Sequence, residues 1–72
     1  MSLEKKTELK IIGERIKKIR KEKKVMQAEL AEKMEVSPIT ISRIENGSTG
    51  MGILTLKRMA DSLEVTVEEI TG

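Results

Sequence analysis

The sequence predicts an all-α domain, with five short helices around one small aliphatic core. Three observations predict it. Apolar residues recur at three- and four-residue spacing along most of the chain, as they do on one face of a helix. Pro38 is the single proline in 72 residues and glycines are few, so long stretches carry no helix breaker. Helix-start signals recur, with Thr7, Ser37 and Thr66 each placed ahead of an apolar-periodic run. Phe, Trp and Tyr are absent, which leaves Leu, Ile, Val, Met and Ala to build the core.

Taken in order, residues 1–6 are polar and charged without periodicity and read as a flexible N-terminal arm ahead of a folded domain over 7–72. Thr7 caps a first helix that runs to about Lys23, with Leu9, Ile12, Ile16 and Ile19 on one buried face. Lys10, Lys17, Lys21 and Lys24 form a basic stripe on the opposite side. Between them Glu14, Lys18 and Glu22 sit four apart, and such pairs contribute only about 0.2–0.5 kcal/mol each. Arg20 borders the apolar face beside Ile16 and Ile19, so it requires a partner if buried.

A second helix is expected at about 27–34, with Ala28, Leu30, Ala31 and Met34 as its apolar positions. A third follows at about 38–45, and its start is sharply specified. Ser37 is a good N-cap, Pro38 suits the first helical position, and Val36 can staple to Ile41. Ile41 and Ile44 point inward, and Asn46-Gly47 supplies residues that tolerate a left-handed stop. The loop Ser48 to Gly52 carries two glycines, which suggests a flexible or closely approached backbone. A fourth helix from about Ile53 to Leu63 would bury Ile53, Leu56, Met59, Ala60 and Leu63. Thr66 and Glu69 make a capping box, with a Val65 to Ile70 staple, that opens a short fifth helix.

Composition narrows function by exclusion. Without cysteine there is neither a disulfide framework nor a thiolate metal site, and without histidine the commonest general base and metal ligand are missing. The carboxylates lie at helix-face and helix-end positions that solvation and pairing explain, so no catalytic residue, metal or cofactor is expected. No apolar run reaches the roughly 18–20 residues of a membrane span and no signal peptide is visible, so a cytoplasmic protein is expected. Lack of aromatics argues against recognition of single strands by stacking. Net charge is only +2 but unevenly placed: residues 1–24 hold ten Lys or Arg against four Glu, and the remainder is net acidic. A Lys-rich helix alone reads as a solvated face; beside two short helices joined by a tight turn, as residues 27–45 are expected to form, part of it supports phosphate contact.

Two short amphipathic helices joined by a tight turn, the second with a polar outer face, describe a helix-turn-helix. The stretches GERIKKIRKEK (13–23), QAELAEKMEVS (27–37), ISRIENG (41–47) and LKRMADSLEVTVEEI (56–70) resemble the phage-repressor and Cro-type helix-turn-helix regulators. The likeness runs from about Ile12 to Ile70. It implies a compact five-helix lambda-repressor-like domain that places its third helix in the major groove of double-stranded DNA as a transcriptional regulator, most often a repressor.

By that resemblance the DNA contacts fall on Gln27, Ser37, Pro38, Ile39, Thr40, Arg43 and Asn46. Gln27 would donate to a phosphate, and Ser37 and Thr40 to phosphate or base. Arg43 can bind guanine O6 and N7 bidentately, Ile39 can touch a thymine methyl, and Asn46 would sit on phosphate. Several have a structural reading as well: Ser37 is a cap, Asn46 a turn former, Pro38 is geometric, Ile39 could pack against the second helix, and Arg43 could pair with Glu45 or Glu32. The resemblance also pairs Arg20 with Glu45 as a structural ion pair. It implies a homodimer on a palindromic operator, joined after the fourth helix, where Val65, Val67 and Ile70 are the apolar candidates.

The chain departs from the family at several points. Met26 replaces the usual Ser, Thr or Asn cap, so the second helix is expected to start without a side-chain cap. Lys24, Glu35 and Glu64 stand at helix ends where the family most often has glycine. The loop Ser48 to Gly52 carries no Lys or Arg, which would weaken phosphate contact on that side. The competing reading is a protein-interaction module, such as an antitoxin or a subunit of a larger regulator, whose DNA contact is secondary to a protein partner.

Overall fold

A computed structural model describes residues 2–72, with side-chain surroundings from residue 8 onward. Its five helices are α1 (Ser2–Glu22), α2 (Gln27–Met34), α3 (Pro38–Asn46), α4 (Ile53–Leu63) and α5 (Val67–Thr71). No strand occurs among the described residues. α1 packs across α3 and α5, while α2 packs on α3 and α4. The core they enclose is aliphatic: Ile16, Leu30, Met34, Ile41, Met59, Leu63 and Ile70 are fully buried, with Ala31, Ile44 and Ala60 filling the gaps. No described helix is long and apolar enough to cross a membrane.

Helix ends explain most of the topology. α1, α2, α3 and α4 all stop in the same way, with a left-handed residue after the last turn and two backbone bonds folding the chain back. Lys24, Glu35 and Glu64 hold φ of 59°, 59° and 58°, and Gly47 holds 75°. After α1, Val25 N donates to Arg20 O and Lys24 N to Lys21 O, both at 3.0 Å. The same pair of bonds recurs from Val36 and Glu35, from Ser48 and Gly47, and from Val65 and Glu64. Val25, Val36 and Val65 each follow the left-handed residue and pack against the core. The valines thus anchor the reversals that a left-handed Lys or Glu makes costly, at roughly 1 kcal/mol or more each relative to Gly.

Helix starts are equally specific. Ser37 Oγ accepts from Thr40 N at 3.3 Å, and Thr66 Oγ1 accepts from Glu69 N at 3.1 Å while Glu69 Oε2 accepts from Thr66 N at 2.7 Å. α2 starts without a side-chain cap, as the sequence predicts. Met26 offers no side-chain acceptor, but Glu29 Oε1 reaches back to accept from Met26 N at 3.0 Å, so half of a capping box is present.

α1 crosses the end of α3 at very close range, and two glycines permit it. A Cβ on Gly13 would lie well inside contact distance of the Ile44 and Glu45 carbonyl oxygens. One on Gly47 would meet Lys10 Cα at 2.8 Å. Gly13→Ala is therefore expected to destabilise the fold by about 1–2 kcal/mol, because overpacking outweighs the helix-propensity gain of about 1 kcal/mol. Urea titration of both proteins, read by far-ultraviolet circular dichroism, checks this; a more stable Ala variant would show that the crossing can widen.

Other expectations are corrected by the packing. α1 begins at Ser2, ahead of the Thr7 start, and takes in most of the segment read as an arm; Met1 lies outside the described residues. Ala28 is exposed, since α2 turns only Leu30, Ala31 and Met34 inward. Ile53 is 65% exposed and Leu54 73%, because the first turn of α4 projects past the edge of the core. Neither loop glycine meets backbone: Gly50 approaches only the Leu9 side chain and Gly52 stands in open space. Ile70 is withdrawn as a surface candidate, being fully buried in the chain's own core. Val65 and Val67 are half-buried against that core.

Candidate nucleic-acid interface

α3 owes its two faces to its sequence. Ile41, Ile44 and Glu45 turn inward and are buried, while Pro38, Ile39, Arg43 and Asn46 stand in solvent. Ile39 is 62% exposed, which removes the reading that packs it against α2. Its first turn is fixed by Ser37, whose Oγ also lies 3.0 Å from Thr40 Oγ1. The two hydroxyls therefore form one polar unit at the start of the helix, in reach of any ligand that approaches it. Among the described residues no ion pair holds Arg43, and the carboxylate of Glu45 is already engaged elsewhere.

That engagement is the organising polar contact of the molecule. Arg20 Nε donates to Glu45 Oε2 at 2.6 Å and Arg20 Nη2 to Glu45 Oε1 at 3.1 Å, a bidentate pair between α1 and the end of α3. Both residues are buried, at 7% and 4% exposure. Arg20 Nη1 also donates to Val25 O at 2.9 Å, and Gln27 Nε2 donates to Glu45 Oε1 at 2.9 Å. One charged cluster thus ties the turn after α1, the first residue of α2 and the last turn of α3. No buried side-chain polar atom is left without a partner among the described residues. The angle between α2 and α3 is held by charge-assisted bonds as well as by Leu30 and Ile41.

Gln27 has a double position. The family resemblance implies only a phosphate contact for it, whereas one of its two amide N–H groups is committed to Glu45. Gln27 is the first residue of α2 and lines one surface concavity with Pro38, the first residue of α3. The bonds to Val25 and from Gln27 add to the expected Arg20–Glu45 pair. The signal for them was present in the sequence, since a buried Arg–Glu pair has more donors and lone pairs than the pair itself satisfies. Lys10, Lys17 and Lys21 on α1 and Lys24 in the turn after it are all exposed.

The fold and this two-helix geometry define a helix-turn-helix protein. A family model described as helix-turn-helix matches residues 16–70, and the chain belongs to that family, of the phage-repressor and Cro type. It is 39% identical over 61 residues to the immunity repressor protein of Bacillus phage phi105. That match covers 85% of this chain but 42% of the phage protein, so the chain spans about two-fifths of that relative's length. Among solved structures, the restriction-modification controller protein C.AhdI from Aeromonas hydrophila superposes with a TM-score of 0.86 at 20% identity, covering 90% of this chain and 94% of that one. The clp gene regulator ClgR from C. glutamicum gives 0.82 at 28% identity, with 85% and 79% covered.

Proposed function

We propose that this chain binds duplex DNA in the major groove through α3 and acts as a transcriptional regulator, in the sense of a repressor, working in the cytoplasm. The observation that carries this is the division of α3. Its inner face is locked by Ile41, Ile44 and the Arg20–Glu45 pair, while Ile39, Arg43 and Asn46 are held out free of intramolecular ion pairs among the described residues. A helix presented in that way, with its polar first turn forward, matches how a recognition helix docks. The repressing sense is supported by the likeness to a phage immunity repressor. Ser37 and Thr40 offer hydroxyls to phosphate or base, Pro38 presents its ring beside them, and Gln27 and Asn46 face the flanking backbone.

A domain of this size buries little groove alone, so the proposal includes a homodimer on a palindromic operator. With Ile70 inside the core, Val65 in the turn after α4 and Val67 at the start of α5 are what remains of the expected dimer surface.

Selection from a pool of random duplexes tests the reading. An enriched palindrome is expected, and Arg43→Ala should relax one position of each half-site at a cost of about 1–3 kcal/mol. A folded protein that enriches no sequence would overturn the proposal and leave the protein-interaction reading in its place.

A further inference from the structure

A concavity of about 610 Å³ opens between the end of α1 and the starts of α2 and α3. Lys21 at the end of α1, Lys24 and Met26 in the turn that follows, Gln27 at the start of α2 and Pro38 at the start of α3 line it together. Arg20 backs the groove but is committed to Glu45 and Val25. The two lysines are exposed and hold no ion pair among the described residues, so their charge is available to a ligand. Lys24 is also conformationally misplaced: it occupies a left-handed position, φ 59°, that glycine takes without strain. The fold thus carries a cation in the lining of a groove that it shares with Pro38, the first residue of α3.

Charge distribution elsewhere sharpens the point. The loop from Ser48 to Gly52, beyond the other end of α3, has no Lys or Arg, and residues 25–72 are net acidic. Positive charge near α3 is therefore concentrated on the α1 side. Met26, 68% exposed, makes one surface of the groove apolar, which suits a sugar–phosphate chain better than a small hydrated anion.

We propose that Lys21 and Lys24 form a phosphate clamp for the DNA backbone that flanks the half-site entered by α3. The inference rests on the reading of α3 as a recognition helix. The clamp places most of the sequence-independent affinity at the α1–α2 turn, and the loop after α3 contributes little of it. Phosphate neutralisation by a lysine releases counterions, so each such contact appears in the salt dependence of binding, at a slope of about 0.9 per phosphate.

The test uses the full chain and its selected duplex, with affinity measured across a range of salt for Lys21→Gln, Lys24→Gly, Lys57→Gln and the unaltered protein. Lys57 is exposed on α4, outside the groove, and controls for net charge. Lys21→Gln and Lys24→Gly are each expected to weaken binding to all sequences alike and to lower the salt slope by about one, with Lys57→Gln unchanged. Lys24→Gly is at the same time expected to raise the unfolding temperature, so its weaker binding cannot come from unfolding. If the unaltered protein binds its operator and the slopes of the two groove variants stay put, or Lys57→Gln lowers the slope as much, the clamp is wrong and the major-groove reading stands. If the unaltered protein shows no salt-dependent duplex binding, both fall. A titration with inorganic phosphate separates the source of the anion. Saturable binding lost in Lys24→Gly, without a change in DNA slope, would make the groove a free-anion site and overturn the clamp.

Discussion

Arg20→Ala is expected to lower the stability of the chain by about 3–5 kcal/mol, and Glu45→Ala by a similar amount. Neither figure is the net worth of the ion pair. Each substitution strands the other charge in a site that is nearly closed to water, where Arg20 is 7% and Glu45 4% exposed. Removing Glu45 also leaves Gln27 Nε2 without its acceptor, and removing Arg20 leaves the Val25 carbonyl without its side-chain donor. A domain of this length has only about 4–11 kcal/mol of stability in total, so either variant should lose a large share of it. Replacing both at once, as Arg20→Met with Glu45→Leu, removes the stranded charge and should cost much less than either single change. Urea unfolding read at the helical circular-dichroism band measures all three, since the chain lacks the aromatic residues that fluorescence needs. Single substitutions that cost under about 1 kcal/mol would mean that water reaches the pair and that α3 is oriented by packing alone.

How the sequence discloses this protein follows from the range of each force. Caps and stops depend on neighbours in the chain. Ser37, Thr66 and Glu69 can therefore be read without a structure, whereas the left-handed ends at Lys24, Glu35 and Glu64 are marked only by the family resemblance, which has glycine there. Helix faces depend on period, which places Ile16, Leu30, Met34, Met59 and Leu63 in the core but cannot say where the core stops. Ile53 shows the limit: it keeps the spacing of Leu56 and Ala60, yet its turn overhangs the edge. Ile70 shows the reverse, because an apolar residue near the chain end reads equally as dimer surface or core until α1 and α4 are seen to close over it. In the interface, the outward direction of Ile39 and Arg43 is periodic information, whereas the bond from Gln27 to Glu45 joins residues 18 apart and belongs to the fold. The crossing at Gly13 is legible only as an oddity, a glycine inside a helix, until Ile44 and Glu45 are found against it.

The left-handed helix ends provide the second large effect, of opposite sign. Lys24→Gly, Glu35→Gly and Glu64→Gly are each expected to raise stability by about 1 kcal/mol, because glycine reaches φ near 60° without the Cβ–carbonyl clash. The gain per site is the strain relieved less the extra freedom glycine has in the unfolded chain, which is why it stays below the full steric penalty. Each turn is closed by its own two backbone bonds, donated by Val25 and Lys24, by Val36 and Glu35, and by Val65 and Glu64, and the three turns share no residue. Their contributions should therefore add, to about 3 kcal/mol in the triple variant. For a domain of this size that corresponds to a rise in Tm of roughly 12–24 °C. Thermal melts of the three single variants and the triple variant decide the matter. A Tm that falls would show that the Lys24, Glu35 and Glu64 side chains contribute more through contacts than their backbones lose in strain. A rise in the triple variant with the duplex affinity of Glu35→Gly and Glu64→Gly unchanged would separate fold from interface. Of the three strained positions, only Lys24 borders the groove beside α3, so only there should relief of strain and loss of DNA affinity come together.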